Sequence, residues 1–226
     1  RKIGTLCRKA AVEAAKDSEV KIRISNRNIK KFLGNYKYTL DAVSDKSQVG
    51  IVRGLAWTSV GGDTLEIEVN VMKGKGALQL TGKLGDVMQE SAKIALSYVK
   101  SQLTDVVADD FFEKHDIHLH VPEGAVPKDG PSAGITMATA MYSACTGKKV
   151  KADAAMTGEI TLRGRILPIG GLKEKILAAK AVGVKLVFVP EKNRKDVEEF
   201  DNEVTEGVDI RFVTEAPEVW KLVLEE

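Results

Sequence analysis

The octapeptide "PKDGPSAG", residues 127–134, sets one serine, Ser132, between Pro131 and Ala133–Gly134. A serine there is either a plain helix N-cap or a nucleophile in need of a base. Gly130-Pro131-Ser132-Ala133-Gly134 satisfies G-x-S-x-G, the nucleophile elbow of α/β-hydrolases, but that fold requires an acid and then a histidine after the serine. His115, His118 and His120 are the chain's only histidines and all precede Ser132, so the elbow fails on chain order. A His–Asp–Ser order stays open, with His118 or His120 as base and Asp129 as its orienter. On a strand, positions 118 and 120 share a face. Against this, Asp129 lies three residues before Ser132 in one loop and would compete with it for space. The same histidines with Glu123 could ligate a metal, a weak signal from two histidines and an acid. A structural or supporting role for the histidines is favoured.

The remaining base is a lysine, which accepts a proton near neutral pH only when burial has lowered its pKa by several units. In "GGLKEKILAAKAVG", Leu172, Ile176, Ala179 and Val182 form an apolar arc at helical spacing, and Lys175 falls inside it. Lys173 and Lys180 fall on the flank, and Glu174 faces away. On spacing alone, a lysine snorkelling from a core helix to water is the commoner arrangement. The serine's setting adds weight to the Ser–Lys pair. Pro131 suits the first position of a helix, whose free N–H groups and positive dipole end would surround Ser132 and could stabilise an oxyanion.

Several elements must position these groups. Ile3, Leu6, Cys7, Ala10, Ala11 and Ala14 recur at helical spacing. The stretch "VKIRI" reads as a strand, and Ser25 or Asn26 as the cap of a short helix ending at Gly34. Residues 35–48 read as a linker. From Val49 the pattern changes: "VGIVRGLAW", "TLEIEVNVM" and "ALQLTG" read as strands separated by "GG" and "GKG" turns. A long helix from Leu84 to Leu103, the strand "IHLHV", a loop over 122–131 and a helix over 132–145 follow. Then come a hairpin over 154–168, a helix from Leu172, the strand "KLVFVP", a short polar helix, the strand "VDIRFV" and a last helix. Strands mixed with helices predict an α+β (or α/β) domain with helices packed on a mixed sheet, preceded by a small helical segment.

Bulk composition excludes little but usefully. With 34 Lys and Arg against 32 Asp and Glu, no strong field for nucleic acid or membrane exists. The basic residues of 1–34 lack interleaved aromatics, so they read as a solvated helix face, and nucleic acid is not indicated. No apolar run approaches the roughly 18 residues of a membrane span. Cys7 and Cys145 read as buried, reduced thiols, which fits a cytoplasmic location. Opening at Arg1 inside an apparent helix, the chain reads as a piece of a longer protein.

"HVPEGAVPKDGPSAG" followed by "AMTGEITLRGRILPIGGLKEK" resembles the proteolytic domain of Lon, the ATP-dependent serine protease, in its bacterial A-type form. "GLAWTSVGGDTLEIEV", "GKLGDVMQESAKIAL" and "FVPEKNRKD" extend the resemblance over nearly the whole chain. The resemblance implies a fold like ribosomal protein S5 domain 2 and a Ser–Lys dyad of Ser132 and Lys175. It implies that the Thr157 hydroxyl helps hold the amine, with Asp129 and the His118 region supporting the active-site loop. Residues 1–34 then resemble the end of the helical subdomain of an AAA+ ATPase module, 35–48 a linker, and 49–226 the proteolytic domain. No G-x-x-x-x-G-K-[ST] occurs, so ATP and Mg belong to the absent ATPase part and no cofactor or metal is expected here. The implied partners are unfolded or regulatory protein substrates, the chain's own ATPase domain, and further copies in a homohexamer. A non-catalytic Lon-like assembly or binding module is the alternative reading, beside a Ser–His–Asp hydrolase using His120 and Asp129.

Overall fold

The computed structural model describes residues 2–17, 19, 21–34, 46–58 and 61–225, which fall into two compact units, Arg1–Asp41 and Ala42–Glu226. In the first, helix Lys2–Lys16 and the short helix Ile29–Leu33 carry the predicted periodicity, and Gly34 stops the second. Of the expected strand "VKIRI", residues 20–24, the described residues 21–24 are not in a strand and pair with none among the described residues. Instead the Asn28 side chain takes the backbone, accepting from Ser25 N at 2.8 Å and donating to Arg23 O at 2.7 Å. The helix accordingly starts after Asn28 rather than at Ser25 or Asn26. Cys7 is exposed, against expectation, since helix Lys2–Lys16 buries none of its described residues; Cys145 is buried as expected. The predicted linker lies outside the described residues except for 46–48, where Gln48 already belongs to the strand Gln48–Val49.

The second unit is built on a seven-stranded mixed sheet. Its order is Asp209–Val213, Leu186–Pro190, Ala154–Met156, Ile51–Thr58, Gly61–Lys73, His115–His120, Leu78–Thr81. Ile51–Thr58 and Gly61–Lys73 form the long antiparallel hairpin, in register from Ile51↔Glu68 to Thr58↔Gly61. Ala154–Met156 runs parallel to both of its neighbours, Ile51–Thr58 and Leu186–Pro190. The hairpin expected over 154–168 is therefore shorter, Glu159–Ile160 against Ile166–Leu167. The reason is that Ala154, Ala155 and Met156 are all buried and need partners on both edges.

Side-chain alternation gives the sheet two apolar faces. Helices Asp86–Gln102, Gly134–Thr146 and Ala216–Val223 cover one, with Val52, Ile67, Leu119, Met156 and Phe188 beneath them. Helix Leu172–Val182 covers the other through Leu172, Ile176 and Ala179 against Leu55, Ala155 and Val187. The "GG" read as a turn is in fact strand, because Gly62 makes room for that helix. A Cβ on Gly62 would lie 1.9 Å from the Glu174 carbonyl oxygen, which is backbone and cannot yield. Gly62→Ala is expected to lower stability by about 1–3 kcal/mol, as overpacking does, checked by denaturant unfolding. Among the described residues, no helix is long and apolar enough to cross a membrane.

Candidate active site

The helices that matter lie on opposite faces of the sheet and meet beyond the carboxyl end of strand Ala154–Met156. That is where ligand crevices form in parallel α/β arrangements. Pro131–Ala133 is a 3-10 turn that runs straight into helix Gly134–Thr146, with Pro131 at its start. Two backbone bonds pin this helix start to the strand end: Gly158 N donates to Ser132 O at 2.8 Å, and Ile135 N to Gly158 O at 3.0 Å. The approach is close enough that a Cβ on Gly134 would stand 2.7 Å from Ile160 N. Ser132 is thereby fixed at the amino end of a 13-residue helix, just past the end of an interior strand of the sheet.

From the other face comes Lys175, buried at 2% exposure on the arc with Leu172, Ile176, Ala179 and Val182. Its Nζ lies 3.1 Å from Ser132 Oγ and 3.1 Å from Thr157 Oγ1. Thr157, 1% exposed, donates its hydroxyl hydrogen to Ser132 O at 3.2 Å. Having given that hydrogen away, the Thr157 oxygen can only accept from the amine. An uncharged amine so held gives an N–H to Thr157 and turns its lone pair toward the Ser132 hydroxyl. Burial pushes the Lys175 pKa down from 10.5 to about 8.

The other sequence candidates gather elsewhere. Thr81 Oγ1 lies 2.9 Å from His118 Nε2 and 2.8 Å from His120 Nδ1, so the two histidines do share a face and are bridged by one hydroxyl. Asp129 Oδ1 accepts from Met88 N at 2.9 Å and Gly130 N at 2.8 Å. Asp129 therefore caps helix Asp86–Gln102 across 41 residues while tying the serine loop to it. These bonds do not join His120, Asp129 and Ser132 into a triad. Asp129→Ala is expected to cost about 1–2 kcal/mol, the worth of a lost cap, whereas Asp129→Asn keeps the accepting oxygen and nearly all the stability; thermal melts separate them. Among the described residues, no group of three or more His, Cys, Asp or Glu side chains is arranged to hold a metal ion.

Three contributors were not singled out in the sequence. Lys128 Nζ donates to Glu123 O at 2.8 Å and Val126 O at 3.1 Å, closing the 122–131 loop on itself. Thr81 bridges the histidines, and Asn193 Nδ2 donates to Ile169 O at 2.9 Å. Thr81 and Asn193 act on groups 24 to 39 residues away, which no local pattern reports, and Lys128 acts on carbonyls of its own loop.

A serine at a helix start facing a buried lysine is the arrangement of serine hydrolases that use an amine in place of histidine. Residues 23–226 match the model of the Lon protease (S16) C-terminal proteolytic domain. The chain belongs to that family. It is 59% identical over 220 residues to the Lon protease of Lachnoclostridium phytofermentans, covering 95% of this chain and 27% of that protein. It is 51% identical to Lon protease 1 of Bacillus subtilis, covering 97% and 28%, and 52% identical to the Lon protease of Dictyoglomus thermophilum, covering 99% and 28%. The chain thus spans a little over a quarter of the length of the curated relatives it matches.

Proposed function

We propose that this chain is the proteolytic part of an ATP-dependent serine endopeptidase, with Ser132 as nucleophile and Lys175 as general base. What carries the reading is the 3.1 Å approach of a buried amine to the serine hydroxyl. The neutral amine takes the hydroxyl proton as Oγ attacks the scissile carbonyl. N–H groups at the start of the helix receive the developing oxyanion. The ammonium then protonates the leaving amine, and the regenerated base activates water against the acyl-enzyme. Thr157 orients the amine, and Asp129 and the histidine strand hold the loop.

The substrates are unfolded or regulatory polypeptides, in keeping with protein quality control and the stress response in the cytoplasm. ATP and Mg act in a separate ATPase part, which feeds chains into a ring of six proteolytic domains. Residues 1–34 are assigned to the end of that ATPase's helical subdomain, 35–48 to a linker and 49–226 to the protease.

Exposure to a peptide boronate is expected to give an adduct on Ser132, seen by native mass spectrometry and absent in Ser132→Ala. A folded chain that forms no adduct would return the reading to a non-catalytic Lon-like binding or assembly module.

A further inference from the structure

Lys175 meets Ser132 only if its helix begins at the right place, and two glycines lead into that helix. Gly170 and Gly171 alone separate Ile169 from the first helical residue, Leu172. Gly171 adopts φ +66 against Trp57, where a Cβ would stand 2.7 Å from the indole Cγ. Just upstream, both backbone groups of Ile169 are taken by one side chain. Ile169 N donates to Asn193 Oδ1 at 3.0 Å, and Asn193 Nδ2 donates to Ile169 O at 2.9 Å. The second Nδ2 hydrogen goes to Asp196 Oδ2 at 2.6 Å, so the amide's orientation is fixed. Asn193 is 3% exposed, which makes losing any of these bonds costly.

The amide stands in for a missing strand, pairing with Ile169 as a neighbouring backbone would. Its own position is set by strand Leu186–Pro190, which leads directly into the 3-10 turn Glu191–Asn193. That strand also fixes the other side of the site, because Thr157 N donates to Phe188 O at 3.2 Å. One strand thus locates both the hydroxyl that orients the amine and the start of the helix that delivers it. We infer that Asn193 is a positioning residue of the active site, clamping Ile169 so that the Lys175 amine is held dry against Ser132 and Thr157. The inference rests on the dyad reading for its meaning, but its test does not require turnover.

The test is direct titration of Lys175 in the full chain labelled with ¹³C-lysine, its signal assigned by its loss in Lys175→Met. In the parent, the midpoint is expected at about 8. In Asn193→Ala the helix start loosens, water reaches the amine, and the midpoint rises by about one unit or more toward the free value of about 10.4. Asp196→Ala, at an exposed position, is expected to give a smaller shift in the same direction. An unchanged Lys175 midpoint in a folded Asn193→Ala overturns the assignment, as does a shift shared by the other lysines, which would mean general loosening. Should Asn193→Ala not fold, Asp196→Ala decides alone: a Lys175-specific rise upholds the clamp and none overturns it. A parent that keeps the low midpoint yet forms no boronate adduct would sink the protease reading and leave the clamp standing.

Discussion

Lys175→Met is expected to leave a folded protein whose peptide hydrolysis falls by about 10³–10⁶-fold, the range between loss of a general base and loss of a coupled catalytic unit. Methionine keeps the length and apolar stem that pack with Leu172, Ile176 and Ala179 and removes only the amine. Ser132→Ala is expected to fall as far. Because the two groups act as a unit, the double variant should lose no more than either single one, a non-additivity that marks shared chemistry. His120→Ala, whose ring meets Thr81 rather than the serine, should lose far less. Acyl-enzyme formation by Lys175→Met together with its loss in His120→Ala would reverse the assignment.

Activity is expected to rise with pH about a midpoint near 8, because burial lowers the Lys175 pKa from 10.5 to about that value. A midpoint at the free-lysine value of about 10.4 would mean a solvated amine and would sink the proposed base. Stability follows the same titration with a definite sign. Between those two values the unfolded chain holds the proton that the folded chain has released, so stability increases with pH. The penalty is fully present below the folded pKa and vanishes above the unfolded one. At about 1.4 kcal/mol per unit it amounts to about 3 kcal/mol. Lys175→Met should therefore be more stable than the parent at pH 7 by up to that amount and lose the advantage by pH 11. Urea unfolding of both proteins across this range reads the difference directly, with the other titrating groups common to both.

The helix bearing Lys175 was legible because its apolar arc repeats locally, and a lysine inside such an arc stands out. The serine turn was legible because Pro131 and the small residues after it describe a helix start. What could not be read was which partners the fold would supply from afar. Asp129 caps a helix 41 residues upstream, and Asn193 pairs with a backbone 24 residues away. Thr157 entered only through family resemblance, since nothing in its neighbours marks a hydroxyl that points toward another layer. The opposite error occurred at 21–24, where strand-like composition met no neighbouring strand among the described residues and Asn28 took the backbone instead. Gly62 misled similarly: glycine there answers to a helix lying over the strand, whereas its neighbour Gly61 has open space beside it and a positive φ of +131.

The serine and the amine arrive from opposite layers and touch only past the rim of one short strand. On the dyad reading, neither half can cut anything alone. A newly made or heat-damaged copy whose layers have not closed carries an inert alcohol and an ordinary protonated surface lysine. Such a copy is harmless to itself and to its surroundings, and cutting power switches on in the same cooperative event that completes the molecule. On that reading the architecture acts as a safety catch.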